Sequence, residues 1–199
     1  MIFYGADEKE KEEEKEKENG LSKKMEEVFL KKRRVFLWGV VDDKSMEKAI
    51  GQILFLDAED SGKEIDLFIN SPGGSVTAGL SLLDVMKMVS SPVNTICMGL
   101  AASMGSMLLS QGVKGKRKIF TNGRVMIHQP SIGGVQGQAI ELEITAKQII
   151  KTRRILAEIL AENCGQPVEK ILKDFDRDYW MDAKEAMEYG IVDEIITKL

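Results

Sequence analysis

Apolar and polar positions along the chain follow two rhythms, and their alternation divides it into elements. Val35–Trp38 reads as a short strand behind the basic Lys31–Arg34. From Lys44 to Ala58 apolar residues fall at Met46, Ile50, Ile53, Leu54 and Leu56, which is helical spacing, and Asp42 or Asp43 stands where a cap belongs. Glu64–Asn70 is a strand, Ser71-Pro72-Gly73-Gly74-Ser75 a turn, and Val76–Val89 a helix stopped by Ser90-Ser91-Pro92. Val93–Met98 is an apolar strand that Gly99 is expected to break, and Ser103–Ser110 opens the next helix. Lys118–Phe120 and Arg124–His128 are strands around the turn signal Asn122-Gly123.

Beyond His128 the pattern changes. Gly133-Gly134 leads into Gln138–Asn163, a periodic stretch with apolar positions at Ile140, Ile144, Ile149, Leu156, Ile159 and Leu160. Gly165 and Pro167 end it. Val168–Phe175 and Asp182–Tyr189 read as short helices, the second with a capping box from Asp182 and Glu185, and Ile191–Ile196 as a last strand. Strands alternating with helices through residue 112 imply βαβ units and a largely parallel sheet, an α/β protein. A helix of ~26 residues would span ~39 Å. That is long for this chain, so it should project and form an assembly contact.

Composition narrows the picture. The 199 residues suit one domain, and at 43% hydrophobic but only 6% aromatic the core must be built from Leu, Ile, Val, Met and Ala. The net charge of −4 is concentrated: Asp7–Glu18 holds eight acids and four lysines. Residues 1–20 therefore read as an acidic, flexible tail and residues 21–199 as a single domain. The near-neutral body gives no electrostatic basis for binding nucleic acid. Cys97 and Cys164 form no CxxC pair, and with a single histidine no Cys/His cluster exists for zinc. No apolar run approaches the ~18 residues of a membrane span, and the first residues do not resemble a secretory signal, so a cytoplasmic protein is expected.

Three segments carry chemistry. Gly99-Leu100-Ala101-Ala102-Ser103-Met104-Gly105 lies where a buried strand turns into a helix. A serine there exposes its hydroxyl beside the backbone N–H groups of a helix start, although serine is also an ordinary helix cap. His128 is the only histidine, so any Ser–His pair must use it; its side chain suits a general base near neutral pH, and a satisfied structural histidine is the plainer reading. In Ser71-Pro72-Gly73-Gly74-Ser75, paired glycines ahead of a helix can present N–H groups to an oxyanion, or simply form a tight turn.

Taken together these strings resemble the Clp protease proteolytic subunit (ClpP) family. The matching segments are Ile69-Asn70-Ser71-Pro72-Gly73-Gly74, Gly99 to Gly105, Arg124 to Pro130, Gly133 to Ala139, Arg177 to Ala183 and Glu188 to Asp193. The resemblance runs from about Arg34 to Ile196. It implies a crotonase-like fold of repeated ββα/βαβ units and a serine endopeptidase. Ser103 would be the nucleophile and His128 the base. Composition cannot choose among Asp174, Asp176 and Asp178; the family pattern selects Asp178, after Arg177, to hold the imidazole. The N–H groups of Gly74 and Met104 would form the oxyanion hole. Ile132, Gly133, Gly134 and Val135 would lie in the strand that pairs with substrate. The region of about 131–163 would be the handle that joins two seven-membered rings into a chamber, as a homo- or hetero-oligomer. Unfolded polypeptide would be fed in by an AAA+ Clp unfoldase that uses the ATP, and this chain would need no cofactor. Arg177 would face another subunit.

The chain departs from that family in three places. An acidic run replaces the apolar first segment. Asp66 replaces one of two aromatics expected in the unfoldase-docking pocket, leaving Phe68 as the other wall. Ser131-Ile132 adds a residue before Gly133-Gly134. The departures at Asp66 and in the tail suggest a second paralogue that works in a mixed assembly; with the triad positions intact it is expected to be catalytically capable there, and a mainly structural or regulatory ring subunit is the alternative. An acyl-CoA enzyme of the same broad fold is a rival reading that would not need Ser103. A related signal-peptide peptidase, with a Ser–Lys pair and a membrane context, is another.

Overall fold

A computed structural model describes residues 20–131, 133–134 and 136–198. The acidic tail, apart from Gly20, lies outside the described residues, as do Ile132 and Val135 of the expected substrate strand. Residues 20–31 are helical (α1), an element the sequence reading does not assign. The strand β1 (Arg34–Trp38) follows, then helix α2 (Asp43–Glu59) and β2 (Ile65–Ser71). Asp42 caps α2: its carboxylate accepts from Ser45 N and the Ser45 hydroxyl accepts from Asp42 N. The buried face of α2 is Met46, Ala49, Ile53 and Leu56, whereas Leu54 is exposed. Burying each large aliphatic side chain contributes roughly 1.5–3 kcal/mol.

Arg33 joins these pieces. It takes a positive φ of 55°, and its guanidinium donates to Leu56 O at 2.9 Å, Glu64 O at 3.0 Å, Lys63 O at 3.1 Å and the Ser91 hydroxyl at 3.2 Å. A cation thus sits on a carbonyl at the C-terminal end of α2, where the helix dipole favours it.

Helix α3 (Val76–Met88) leads to β3 (Val93–Ala102), the longest strand, and then α4 (Met104–Ser110). After β4 (Arg117–Phe120) and β5 (Arg124–Ile127) come α5 (Ala139–Cys164), α6 (Val168–Asp174), β6 (Tyr179–Met181), α7 (Ala183–Tyr189) and β7 (Glu194–Ile196). The sheet runs β1-β2-β3-β4-β7, with β5 added to β3 and β6 to β5. All pairings are parallel except β5 with β6.

Gly99 does not end β3, contrary to expectation. It takes a φ of +99° inside the strand, and Asn70 Oδ1 accepts from Leu100 N at 3.1 Å where the β2 pairing shifts register. The irregularity lets β3 change partners: Thr95–Cys97 pair with β4 and Leu100–Ala102 with β5. The last strand is also shorter than expected. Ile191 and Val192 are buried, but pairing begins only at Glu194.

Helix α5 matches the long periodic stretch, with Gln138 at its N-cap and Gly165, φ 66°, ending it. From Ala139 to Ile155 none of its residues is buried, and the packed part is Leu156, Ala157, Leu160 and Ala161. Its far end is fixed by Arg117, only 3% exposed, which donates to Asn163 O at 2.8 Å, to Ser110 O at 3.3 Å and bidentately to Asp193 at 2.6 and 2.9 Å. One buried guanidinium therefore holds the C-terminal ends of α4 and α5 against β4. Among the described residues no helix is long and apolar enough to cross a membrane.

Candidate active site

Ser103 and His128 each stand one residue beyond the C-terminal end of a strand, β3 and β5, and these strands are parallel neighbours. Ala102 pairs with Met126, and Ser103 N donates to Met126 O at 2.9 Å, so the register sets the two residues side by side. The crevice outside the carboxyl ends of parallel strands is where α/β sheets place their sites. Ser103 Oγ lies 2.8 Å from His128 Nε2. On the other side of the ring, Nδ1 lies 3.1 Å from Asp178 Oδ1.

A carboxylate only accepts hydrogen bonds, so Nδ1 carries the proton of the neutral imidazole and Nε2 accepts from the Ser103 hydroxyl. Of the three nearby aspartates, only Asp178 is so placed. Asp174 accepts from Lys170 at 2.6 Å and from the Tyr189 hydroxyl at 2.9 Å. Asp176 meets Arg177 at 4.0 Å. The Asp178 side chain is 60% exposed and that of His128 26%.

Ser103 adopts φ 54° and ψ −122°, a conformation that costs a residue with a side chain of order 1–3 kcal/mol. Its surroundings hold it there. Ser103 O accepts from Ser106 N at 3.0 Å and from the Ser106 hydroxyl at 2.6 Å. On the opposite side Gly73, φ +90°, packs so tightly that a Cβ there would come within 2.6 Å of Ser103 Cβ and 2.9 Å of Met104 N. Gly74 bridges to Val41, and a Cβ at Gly74 would run into the Val41 carbonyl. Both glycines are thus required by close approach as well as by φ. Among the described residues neither Gly74 N nor Met104 N donates to an internal acceptor.

A small pocket beside Ser103 and His128 is lined by Val76, Met107, Ile127, Pro130, Leu156 and Phe175. Ser106 also lines it, and no charged side chain other than the His128 ring borders it. Gly133 and Gly134 are exposed and belong to no strand.

The face expected to dock a partner differs from the sequence reading. Phe68 does line the hollow that holds Asp66, but it is largely covered, stacked on Phe36 at 5.0 Å with the Arg34 guanidinium 5.7 Å from its ring. Asp66 accepts from Asn94 Nδ2 at 3.0 Å and shares this hollow with the charged Arg34, Glu64, Lys116 and Lys118 and the apolar Ile96 and Ile196.

Sequence reasoning misses strand β6, which carries Asp178 to the ring, and the part Gly73 plays against Ser103. The paired-glycine string is visible, but which glycine touches the serine follows only from the crossing of β2 and β3.

A largely parallel α/β sheet thus sets a serine, a histidine and an aspartate in hydrogen-bond series at its carboxyl edge. A family model described as Clp protease matches residues 16–199, and the chain belongs to that family. It is a ClpP-type peptidase.

Proposed function

We propose that the chain is a serine endopeptidase that cleaves unfolded polypeptide, with Ser103 as nucleophile, His128 as general base and Asp178 as the residue that orients it. The observation that carries this reading is the single imidazole between Ser103 Oγ at 2.8 Å and Asp178 Oδ1 at 3.1 Å. Ser103 Oγ attacks the peptide carbonyl carbon while its proton passes to His128 Nε2. The imidazolium keeps its Nδ1–H toward Asp178, whose carboxylate stabilises it. Charge gathers on the carbonyl oxygen, and the free N–H groups of Gly74 and Met104 are its stabilising donors. The C–N bond then breaks as His128 returns the proton to the leaving amine, which leaves an ester on Ser103. Water, deprotonated by the same imidazole, hydrolyses that ester and regenerates the serine. No step draws on a cofactor.

The substrate enters extended along Ile132, Gly133, Gly134 and Val135. The exposed run of α5, with Ile140, Ile144 and Ile150 in water, supports its role as the handle between two stacked heptameric rings. An AAA+ unfoldase would feed the chamber. A second reading rests on the polar hollow around Asp66: this chain docks an unfoldase poorly by itself and works with a paralogous ring. The test of the catalytic reading is peptidase activity of the assembled protein on an unfolded polypeptide. Ser103→Ala should lower it by at least ~10⁴-fold, and wild-type activity in that variant would refute the assignment.

A further inference from the structure

We propose that Gln129 is a positioning residue for Asp178, an inference that rests on the catalytic reading above. Asp178 stands in the most exposed stretch of the site: Asp176 through Trp180 are all exposed, and only Phe175 anchors the turn before them. From Tyr179 onward the chain is held by the β5–β6 ladder. Before Tyr179 that support is missing. Asp176 N donates back into α6, to Lys173 O at 3.3 Å, and among the described residues the Arg177 guanidinium donates only to its own neighbour, Asp176 O, at 3.0 Å.

Among the described residues, the hydrogen bonds that tie Phe175–Arg177 to anything outside α6 and the turn itself come from Gln129. Its backbone N–H donates to Phe175 O at 2.7 Å and its side-chain Nε2 to Asp176 O at 3.1 Å. Gln129 directly follows His128. The residue next to the base therefore grips the segment that delivers the carboxylate, so that the ring and Asp178 keep a common frame. A loose segment would let Asp178 move into solvent, and a displacement of ~1 Å in such a constellation can cost ~10²-fold.

The charged groups near His128 are few. Asp178 meets Nδ1, and Asp176 and Arg177 lie in the same turn. The walls supplied by α3, α4 and α5 (Val76, Met107 and Leu156) carry no charge. The imidazolium formed during turnover therefore depends on the Asp178 carboxylate for its stabilisation, and a displaced carboxylate would slow the chemical step.

The experiment compares wild type, Gln129→Ala, Gln129→Glu, Asp178→Ala and the double variant Gln129→Ala/Asp178→Ala, all as the assembled protein on a fluorogenic peptide. Both single Gln129 variants keep the backbone bond to Phe175. Gln129→Glu keeps the length of the side chain and loses its donor at neutral pH. Each should lose roughly 10- to 100-fold in kcat with KM within about twofold. The double variant separates positioning from a smaller folded fraction, because a folding loss would lower kcat equally in both backgrounds. In the Asp178→Ala background the Gln129 change should add less than about twofold. Gln129→Ala activity within twofold of wild type, or an equal loss in both backgrounds, would overturn the positioning role alone. Full activity of Asp178→Ala would overturn the catalytic reading itself.

Discussion

Asp178 faces His128 because β6 runs antiparallel to β5 with Tyr179 paired to Ile127. The residue after Ile127 and the residue before Tyr179 are then cross-strand neighbours, and these are His128 and Asp178, the proposed base and its carboxylate. A three-residue strand thus fixes the third member of the series. Asp178→Asn should lower kcat by roughly 10⁴-fold, because the amide no longer enforces the tautomer. Asp176→Asn should stay within about threefold of wild type. Comparable losses in the two variants, measured on one peptide substrate, would show that the series has been misassigned.

Gly73 bears on both Ser103, the proposed nucleophile, and Met104 N, a proposed oxyanion donor. Gly73→Ala introduces a Cβ that must displace Ser103 and Met104 N, at a φ of +90° that alanine avoids. Turnover should fall by roughly 10²- to 10³-fold, the scale of one lost oxyanion donor. Thermal unfolding should show that the variant still folds. Turnover near that of wild type would mean that the Gly73–Ser103 contact is not needed for catalysis.

The Arg117–Asp193 pair should make stability depend on acid. Burial opposes ionisation of Asp193, but the bonds from Arg117 outweigh it and hold the carboxyl below its ordinary value of 3.8. A carboxylate depressed in the folded state contributes stability above its unfolded value, and that contribution is lost as pH falls through the folded value. Urea midpoints should therefore drop as pH is lowered below about 4, and Asp193→Asn should lessen that dependence. Arg117→Met removes one partner of a largely buried pair and should cost about 3 kcal/mol at neutral pH. An unchanged acid limb in Asp193→Asn would exclude this pair as the source.

Asp66 should limit docking of an apolar loop, because covering its carboxylate carries a desolvation cost. Asp66→Tyr is expected to raise the affinity of the assembled protein for a Clp unfoldase by about tenfold, or 1.4 kcal/mol. Interferometry of the two proteins against the same unfoldase measures this. Equal affinities would mean that Asp66 does not govern docking.

Most helices are legible in the sequence because their signals are local. Asp42 with Ser45, Asp182 with Glu185, and Gly165 are caps whose geometry involves only nearby residues. Gly99 misleads because a glycine can end a strand or bend it, and the deciding bond comes from Asn70, far away in sequence. Strand β6 escapes notice because Tyr179 and Trp180 are exposed and three residues carry no period. Ser103, His128 and Asp178 are legible through their strings, whereas the covering of Phe68 by Phe36 and Arg34 is not, because it comes from neighbours on another strand.

The central claim is that Ser103 is a nucleophile activated by His128. Fluorophosphonate treatment of the assembled protein, followed by peptide mapping, reads this directly, because the reagent phosphonylates an activated serine and remains attached. One adduct on Ser103, abolished in His128→Ala, is the expected result. An adduct on another serine, or labelling of Ser103 at the same rate without His128, would contradict the account.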